Sequence, residues 1–323
     1  MPYQLVNSAL MRLAVPTLDD AMMESWPAPD GWPLRRVRLS GRGGARGSLL
    51  FIGGRADHIE KYDEALIGWA EQGWDVESVD WRGQGGSGRL IQGSALGHAE
   101  DFGCWLEDIE AYAEDWHTRT SAPHVIVAHS MGGHLVLRAL AEGRITADAV
   151  ALSAPMLGIR AGPLPQWLAG GIAAAACAVG LGRKAVGRVR EALSVDEGTA
   201  LPTVLTHDRE RLLREARFEL ERPDVALGPP TWGWLRAAFR SLAWMARPDT
   251  LERITAPMLI LASAGDRVVS TPAIIRAAAR VPGARIHVYG ADVAHEILRE
   301  VDAVRDDALA RIDAFFAEYA SRP

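Results

Sequence analysis

The fold is decided by the stretch His124-Val125-Ile126-Val127-Ala128-His129-Ser130-Met131-Gly132-Gly133-His134-Leu135. An apolar strand runs directly into Ser130, and an apolar helical pattern begins immediately after it. Ala128 and Gly132 are small, as a tight strand-to-helix turn requires, although the first of these positions usually holds glycine. This layout predicts a nucleophile elbow that lifts Ser130 Oγ above the edge of a sheet. The stretch alone leaves open that Ser130 is a polar residue at an ordinary strand–helix junction.

The composition is that of a soluble globular protein. The 323 residues suit one large α/β domain with an insertion, or two domains. Hydrophobic residues make up 48% and charged residues 24%, and the net charge of −6 argues against nucleic acid as a partner. Cys104 and Cys177 are far apart and lack metal-type spacing, which indicates a reducing compartment and predicts a cytoplasmic location.

Two segments bear on membranes. The first residues lack a basic start followed by an apolar run, so no secretory signal is expected. Residues 161–182 carry no charge and are long enough to span a bilayer, but they consist mostly of alanine and glycine. This composition favours a helix that is buried or docks on a surface, and it predicts peripheral contact with the inner face of the membrane.

Short β-rich runs alternate with helical patterns along most of the chain. This alternation predicts an α/β fold whose mostly parallel sheet is covered by helices on both faces. Strands are predicted at 48–52, 76–80, 125–128, 149–152, 258–261 and 285–289. Helices are predicted at 60–72, at 102–117, from the elbow to about 141, at 273–280 and at 301–319.

The alternation stops between about residues 155 and 255. That part of the chain is rich in helix formers, prolines and tryptophans, which predicts a helical insertion above the sheet. The predicted domains are therefore a core of residues 1–154 and 256–323 and a helical cap of residues 155–255.

A base and an acid follow the serine in a suggestive order. A serine hydroxyl needs a base within hydrogen-bond distance, and the base needs an orienting acid. Asp266 lies in the loop after the strand at 258–261, and His295 lies in the loop after the next strand. The ends of parallel strands meet at one edge of a sheet, so Ser130, Asp266 and His295 are predicted to form a catalytic triad.

Asp292 and His129 are the rival candidates. Asp292 lies on the same loop as His295 and is expected to shape the turn. His129 adjoins the serine, but adjacent side chains diverge in such a turn, so it is expected to fill space in the elbow.

An oxyanion hole needs two backbone N–H groups aimed at the developing negative charge. Met131, after the serine, is predicted to supply one at a helix N-terminus. Arg55, in the loop Gly53-Gly54-Arg55-Ala56-Asp57-His58, is predicted to supply the other, because two glycines let the backbone approach a substrate. A plain Gly-Gly turn is the alternative.

Nothing in the sequence predicts a cofactor or a metal. The histidines form no metal-spaced cluster. Residues 83–88 match the spacing of a dinucleotide fingerprint, but the residues that follow do not open a convincing helix, so nucleotide binding is not expected.

Several segments resemble α/β-hydrolases of the lysophospholipase and monoacylglycerol lipase group. The resemblance covers nearly the whole chain after about residue 30, although this chain has Gly53-Gly54 where relatives often have His-Gly. It implies the α/β-hydrolase fold with a helical cap inserted after the sixth strand. The segments are residues 53–62, residues 80–88, the elbow, the Asp266 and His295 loops, and, like the cap of bacterial lysophospholipases, residues 205–209 and 228–232.

The resemblance also implies hydrolysis of carboxylic esters in lipids with one acyl chain. Trp167, Trp232 and Trp244 of the insertion are candidates for an acyl groove, or they form the insertion's own core. A broad carboxylesterase, a peptidase of the proline-iminopeptidase kind and a catalytically silent ligand-binding relative are the alternatives.

Overall fold

The apolar runs of the sequence form one sheet. The computed structural model describes residues 18–19, 22–44, 46–160, 162, 164–186 and 204–320. The strands are β1 (Met23–Pro27), β2 (Pro33–Leu39), β3 (Gly47–Ile52), β4 (Trp74–Val79), β5 (His124–His129), β6 (Ala149–Ser153), β7 (Met258–Ser263) and β8 (Arg285–Tyr289).

Eight α-helices occur in the described part of the chain. They are α1 (Asp63–Glu71), α2 (Gly103–Arg119), α3 (Ser130–Ala141), α4 (Gln166–Ala178), α5 (Arg209–Glu221), α6 (Trp232–Met245), α7 (Thr271–Ala278) and α8 (Asp302–Tyr319). Short 3₁₀ turns precede α1 and α8 and follow α6.

The sheet has the order β1-β2-β4-β3-β5-β6-β7-β8. The pairs from β4 to β8 are parallel, whereas β2 pairs antiparallel with both β1 and β4. The carboxyl ends of β3, β5, β7 and β8 therefore share one edge, as the sequence predicts. This arrangement is the predicted α/β-hydrolase fold.

Burial explains why the central strands read as continuous apolar runs. Every residue of β3, β5, β6 and β7 is buried, apart from the first residue of β5. A parallel strand with both faces covered needs apolar side chains at every position rather than at alternate ones. The antiparallel hairpin of β1 and β2 lies at the edge, and only Leu34 and Val37 of its residues are buried, so it has no continuous or alternating apolar run to predict it.

The insertion follows β6, and its helices are α4, α5 and α6. The uncharged stretch at 161–182 contains α4, and no helix among the described residues is long and apolar enough to cross a bilayer. Trp234, Ala237, Ala238 and Met245 of α6 join the main hydrophobic core. The division at residues 155 and 255 stays a prediction, with α6 packed as part of the core.

Candidate active site

Ser130 occupies a strained turn between β5 and α3. Its φ of 49° lies in the left-handed region, which non-glycine residues seldom adopt. A Cβ on Gly132 would overlap the carbonyl oxygen of Gly53 and lie 2.7 Å from that of Ile52, so only glycine fits there. Ala128 is a buried β5 residue paired with Ile52 and Leu152, and its methyl group fits the core.

Three side chains from three loops form a chain of hydrogen bonds. His295 Nε2 lies 2.9 Å from Ser130 Oγ, and His295 Nδ1 lies 2.6 Å from Asp266 Oδ2. Ser130, Asp266 and His295 are 8%, 1% and 3% exposed, so these bonds are shielded from bulk water. The geometry brings the predicted nucleophile, base and acid together in the predicted order.

Backbone groups fix the far side of Asp266. Its Oδ1 accepts hydrogen bonds from the N–H groups of Val268, at 2.7 Å, and Val269, at 2.9 Å. Burial raises the pKa of this carboxyl, but the bonds from His295 and the two N–H groups outweigh it and hold the pKa below its usual value. Asp266 is therefore ionised at neutral pH and can stabilise a positive charge on His295.

The rival residues lie apart from this chain of bonds. Asp292 is exposed, and its side chain folds back against Gly290 in the same turn. The Nδ1 of His129 donates toward the Ser153 carbonyl oxygen at 3.1 Å. Burial, together with the nearby His295, lowers the pKa of His129 to about 4, so this ring is neutral at physiological pH.

The loop after β3 passes directly beside the nucleophile. A Cβ on Gly54 would lie 2.9 Å from Ser130 Cβ, so glycine is required for this approach. The Gly54 N–H donates to Asp57 Oδ2 at 2.6 Å, and the Ala56 N–H donates to Gln84 Oε1 at 2.8 Å. Among the described residues, none accepts a hydrogen bond from the Arg55 N–H between them. This loop and the first turn of α3, where Met131 lies, flank Ser130, and the assignment of the Arg55 and Met131 N–H groups to an oxyanion hole stays a prediction.

The support for this loop comes from charged side chains that the sequence reasoning missed. Lys61 Nζ lies 2.8 Å from Asp57, 2.6 Å from Glu296 and 3.1 Å from Glu215. Arg299 pairs with Glu215 at 2.7 Å and also with Glu296. We call Asp57, Lys61, Glu215, Glu296 and Arg299 the buried ion cluster; it joins the loop after β3, helix α5 and the residue following His295.

Electrostatics keep the buried ion cluster charged. Burial lowers the pKa of Lys61, but Asp57, Glu215 and Glu296 together raise it above its ordinary value. Burial raises the pKa of Asp57 and of Glu296, but Lys61 helps to lower each to about 2. The local signals of this cluster in the sequence are two spacings, of four residues between Asp57 and Lys61 and of three between Glu296 and Arg299.

The glycines at 83–88 surround a carboxylate of the protein itself. Gly85 has a φ of 47°, and a Cβ on it would overlap the Asp80 carboxylate. The Asp80 oxygens accept bonds from Gly86 N–H, at 2.7 Å, and Ile59 N–H, at 3.0 Å. The residues after this turn are irregular, in line with the interpretation that it is not a dinucleotide site.

The predicted substrate-binding tryptophans lie at three separate places. Trp167 of α4 is 77% exposed, Trp232 begins α6, and Trp244 stacks under the Arg138 guanidinium at 5.0 Å. No ring contact joins any two of them in the described part of the chain. Trp234, two positions from Trp232, is instead the tryptophan beside the loop after β3, with its ring 5.6 Å from the Arg55 guanidinium.

The described residues contain neither a group of side chains suited to a metal ion nor a disulfide bond. No group of three or more described His, Cys, Asp or Glu side chains could hold a metal ion. Cys104 and Cys177 are both free thiols, and burial raises the pKa of Cys104 to about 11.

Comparison with known proteins assigns the family. The family model described as serine aminopeptidase, S33, matches residues 43–302, which include Ser130, Asp266 and His295. This chain belongs to the serine aminopeptidase S33 family.

Two relatives that match most of this chain carry lysophospholipase names. Lysophospholipase L2 of Escherichia coli (strain K12) is 33% identical over 315 residues, covering 90% of this S33 chain and 86% of that protein. A probable lysophospholipase L2 of Haemophilus influenzae is 28% identical over 273 residues, covering 83% of this chain and 82% of that protein.

Solved structures of low sequence identity share the fold. A soluble variant of monoglyceride lipase from Saccharomyces cerevisiae, in complex with a substrate analog, superposes with a TM-score of 0.72 at 16% identity, covering 96% of this chain and 98% of that one. The monoacylglycerol lipase of Paleococcus ferrophilus gives 0.66 at 19% identity, covering 88% and 98%. At such identities the likeness supports the α/β-hydrolase fold of this S33 chain.

Proposed function

We propose that this protein is a serine hydrolase that cleaves carboxylic esters of lipids with one acyl chain, as a lysophospholipase or a monoacylglycerol lipase. The observation that carries the proposal is the bonded series Ser130–His295–Asp266 at a strained strand-to-helix turn. The names of the relatives support the substrate class.

The first half of the reaction forms an acyl-enzyme. Ser130 Oγ attacks the ester carbonyl carbon while His295 Nε2 takes the hydroxyl proton, and Asp266 stabilises the imidazolium. The N–H groups of Met131 and Arg55 donate to the oxyanion of the tetrahedral intermediate. The intermediate collapses, the bond to the alcohol oxygen breaks, and His295 returns the proton to the leaving alcohol.

The second half releases the acid. His295 takes a proton from water, which attacks the acyl carbon of the Ser130 ester and forms a second tetrahedral intermediate. Its collapse frees the carboxylic acid and returns the proton to Ser130 Oγ. The same two N–H groups serve both intermediates.

A fluorophosphonate probe and a serine substitution test the nucleophile. Ser130→Ala is expected to remove both probe labelling and turnover of a short p-nitrophenyl ester, while the circular dichroism spectrum stays unchanged. Ser121→Ala, at an exposed serine before β5, is the matched control and should behave as wild type. Labelling of Ser130→Ala at the wild-type rate contradicts the assignment, and an unlabelled wild type supports the silent ligand-binding relative.

A peptidase is the second candidate, because the family model carries the name serine aminopeptidase. Turnover of lysophosphatidylcholine, a monoacylglycerol and an aminoacyl amide by the wild type separates the candidates. The proposal expects the highest kcat/KM for one of the two lipids. Highest kcat/KM for the amide favours the peptidase, and a preference for short soluble esters favours a broad carboxylesterase.

We also propose that the cap contacts a membrane surface from the cytoplasmic side. Exposed apolar side chains lie on and around α4, including Trp167, Leu168 and Ile172, which are 77%, 36% and 41% exposed. Co-sedimentation with liposomes is expected to fall for Trp167→Ala combined with Ile172→Ala. Ile286→Ala, at an exposed β8 position, is the control, and equal sedimentation of all three proteins removes the idea.

A further inference from the structure

A cavity bordered by α4, α6 and α7 lies away from the triad. Its volume is about 700 Å³, within the range of about 300–1,000 Å³ typical of small-molecule sites. Facing surfaces of α4, α6 and α7 line it, and Ser130, Met131, Asp266 and His295 are not among its lining residues. We call it the arginine cavity.

The walls of the arginine cavity are apolar. Phe239, Leu242 and Met245 of α6 line it together with Gly170 and Ala174 of α4. Gly170 keeps the helices close, because a Cβ there would lie 3.1 Å from Phe239 Cβ. Such walls favour a hydrocarbon chain over a polar ligand, since burying apolar surface is the main source of binding free energy there.

Four arginines also line the cavity, and none of its described lining residues is acidic. They are Arg236 and Arg240, one turn apart on α6, and Arg276 and Arg280, at the end of α7 and just after it. An apolar cavity with one sign of charge concentrates ligands of the opposite sign.

Three of these arginines have little acidic compensation. Arg276 is exposed and forms no ion pair with any described residue. Arg240 lies 3.6 Å from Asp101, and both side chains of that pair are more than half exposed. Arg236 donates only to a backbone oxygen, of Glu100 at 3.4 Å, while its buried Nε lacks any partner. Arg280, by contrast, is paired with Glu252 at 2.7 Å.

We propose that the arginine cavity is a second, non-catalytic site that binds a long-chain carboxylate, with the chain along the apolar residues of α4 and α6 that line it and the carboxylate at Arg276, which has no ion-pair partner among the described residues. The choice of a carboxylate rests on the proposed function, since hydrolysis of an acyl ester releases one. Leu157 of the cavity follows Met156, whose N–H bonds to the Ser130 carbonyl oxygen at 2.9 Å, so the cavity adjoins the residue that holds the nucleophile turn.

Oleate, below its critical micelle concentration, is the probe. Isothermal titration calorimetry of enzyme whose Ser130 carries a long-chain alkyl phosphonate, which fills any acyl groove at that serine, is expected to show one oleate per chain. Arg276→Gln should weaken binding at least about fivefold, the effect expected for losing one charge-assisted hydrogen bond of about 1 kcal/mol or more. Arg253→Gln, at an exposed arginine outside the cavity, should bind oleate as the phosphonate-blocked wild-type enzyme does.

A pair of neighbouring alanines tests the apolar part. Ala174 lines the cavity and Ala175 does not, although both are exposed on α4. Ala174→Trp should fill the space and abolish oleate binding, whereas Ala175→Trp should leave it unchanged. Equal binding by the two variants overturns the proposal.

Blocking Ser130 distinguishes the second site from the reaction site. Wild-type enzyme carrying a long-chain alkyl phosphonate on Ser130 has any acyl groove at that serine filled. Oleate binding that survives this block supports the separate site, and binding that disappears overturns it. Binding to anionic vesicles that depends on Arg276, without binding of monomeric oleate, also overturns it. None of these outcomes depends on which ester the enzyme hydrolyses.

Discussion

Asp266 is held on one oxygen by backbone N–H groups and holds His295 with the other. The ionised carboxylate accepts the Nδ1–H of His295, which leaves Nε2 free to accept the proton of Ser130. At the scale of the residue, this carboxylate selects the tautomer on which the proposed chemistry depends.

Asp266→Asn should reverse that selection. An amide can donate to Nδ1 and thereby favours the tautomer with its proton on Nε2, which cannot accept from Ser130. We expect kcat for a p-nitrophenyl ester to fall about 10⁴-fold, the order of magnitude found for this substitution in serine triads, with little change in KM. Asp292→Asn, at the exposed rival acid, should keep wild-type kcat. Steady-state kinetics measures both, and equal losses in the two variants would contradict the assigned roles.

The individual residues of the site differ in whether the sequence could predict them. Ser130, Asp266 and His295 could be predicted because each follows a strand, and the sheet brings those ends together. Lys61 could not, because its partners Glu215 and Glu296 are distant in sequence and meet it only in the folded chain. The sequence could not decide which of Trp232 and Trp234 faces the site. Residues two apart on a helix point in different directions, and the rotation of α6 about its axis is set by packing that the sequence pattern does not show.

Among the helices, α3 and α6 are joined by a buried histidine. His134 Nδ1 donates to the Met156 carbonyl oxygen at 2.9 Å, and Nε2 accepts from Ser241 Oγ at 2.6 Å. The Arg138 guanidinium also donates to Ser241 Oγ, at 2.8 Å. Burial lowers the pKa of His134 to about 3, so the neutral ring is the form that joins the helices.

This contact predicts a loss of stability in acid. The pKa of His134 is about 3 in the folded chain and about 6.5 when unfolded, so between these values the unfolded state binds the extra proton. The stabilisation is complete above pH about 6.5 and is lost as pH falls toward 3. Urea unfolding from pH 7 to 4 should therefore show a steeper decline for wild type than for His134→Gln, by up to about 1.4 kcal/mol per pH unit. The buried His129 contributes equally to both proteins, and parallel curves would disprove the idea.

The buried ion cluster ties three elements together, and its loss should be costly. Lys61→Met leaves Asp57 buried without its ion-pair partner and leaves Glu296 with Arg299 alone, so we expect the free energy of unfolding to fall by about 3–5 kcal/mol. Arg42→Met removes an ion pair to Glu71 of 3.1 Å whose side chains are 76% and 49% exposed, and should cost less than about 1 kcal/mol. Urea titration at pH 7 compares the two, and similar losses would argue against a structural role for the cluster.

Elements that bury both faces were the easiest to predict. The bounds of β3, β5, β6 and β7 lie within about two residues of the apolar runs that predicted them, as expected when burial alone sets the pattern. The hairpin of β1 and β2 was missed because arginines interrupt β2, where Arg35 pairs with Glu60 and Asp80 instead of facing a core. Ion pairs of this kind give a strand no periodic apolar signature.

In the molecule as a whole, the described residues form two hydrophobic clusters of unequal size. The large one runs through the sheet and its helices, whereas Ala169, Phe239 and Leu242 form a small one between α4 and α6. Only two α4 residues, Ala169 and Ala173, are buried.

This difference predicts that α4 opens without the rest of the chain. Segments with few buried apolar contacts exchange their amide hydrogens through local opening, whereas core strands exchange only on global unfolding. Hydrogen exchange followed by mass spectrometry should show peptides of α4 exchanging at least about 100-fold faster than peptides of β5. Peptides of α3, which is almost wholly buried, should match β5. Equal protection of α4 and β5 would show that the cap and sheet open as one unit.

Helix α6 runs alongside α3, since Ser241 meets His134 and, one turn later, Trp244 meets Arg138. It thereby carries the chain from the edge of the sheet that holds Ser130 back to the start of β7. Within the described part of the insertion before α6, α5 is tied to the loops of the sheet through Glu215 of the buried ion cluster, whereas α4 buries only two residues and is the part that can vary. Evolution, or a designer making chimeras of relatives, can then change which ester is admitted while the sheet keeps the bond-breaking groups in place.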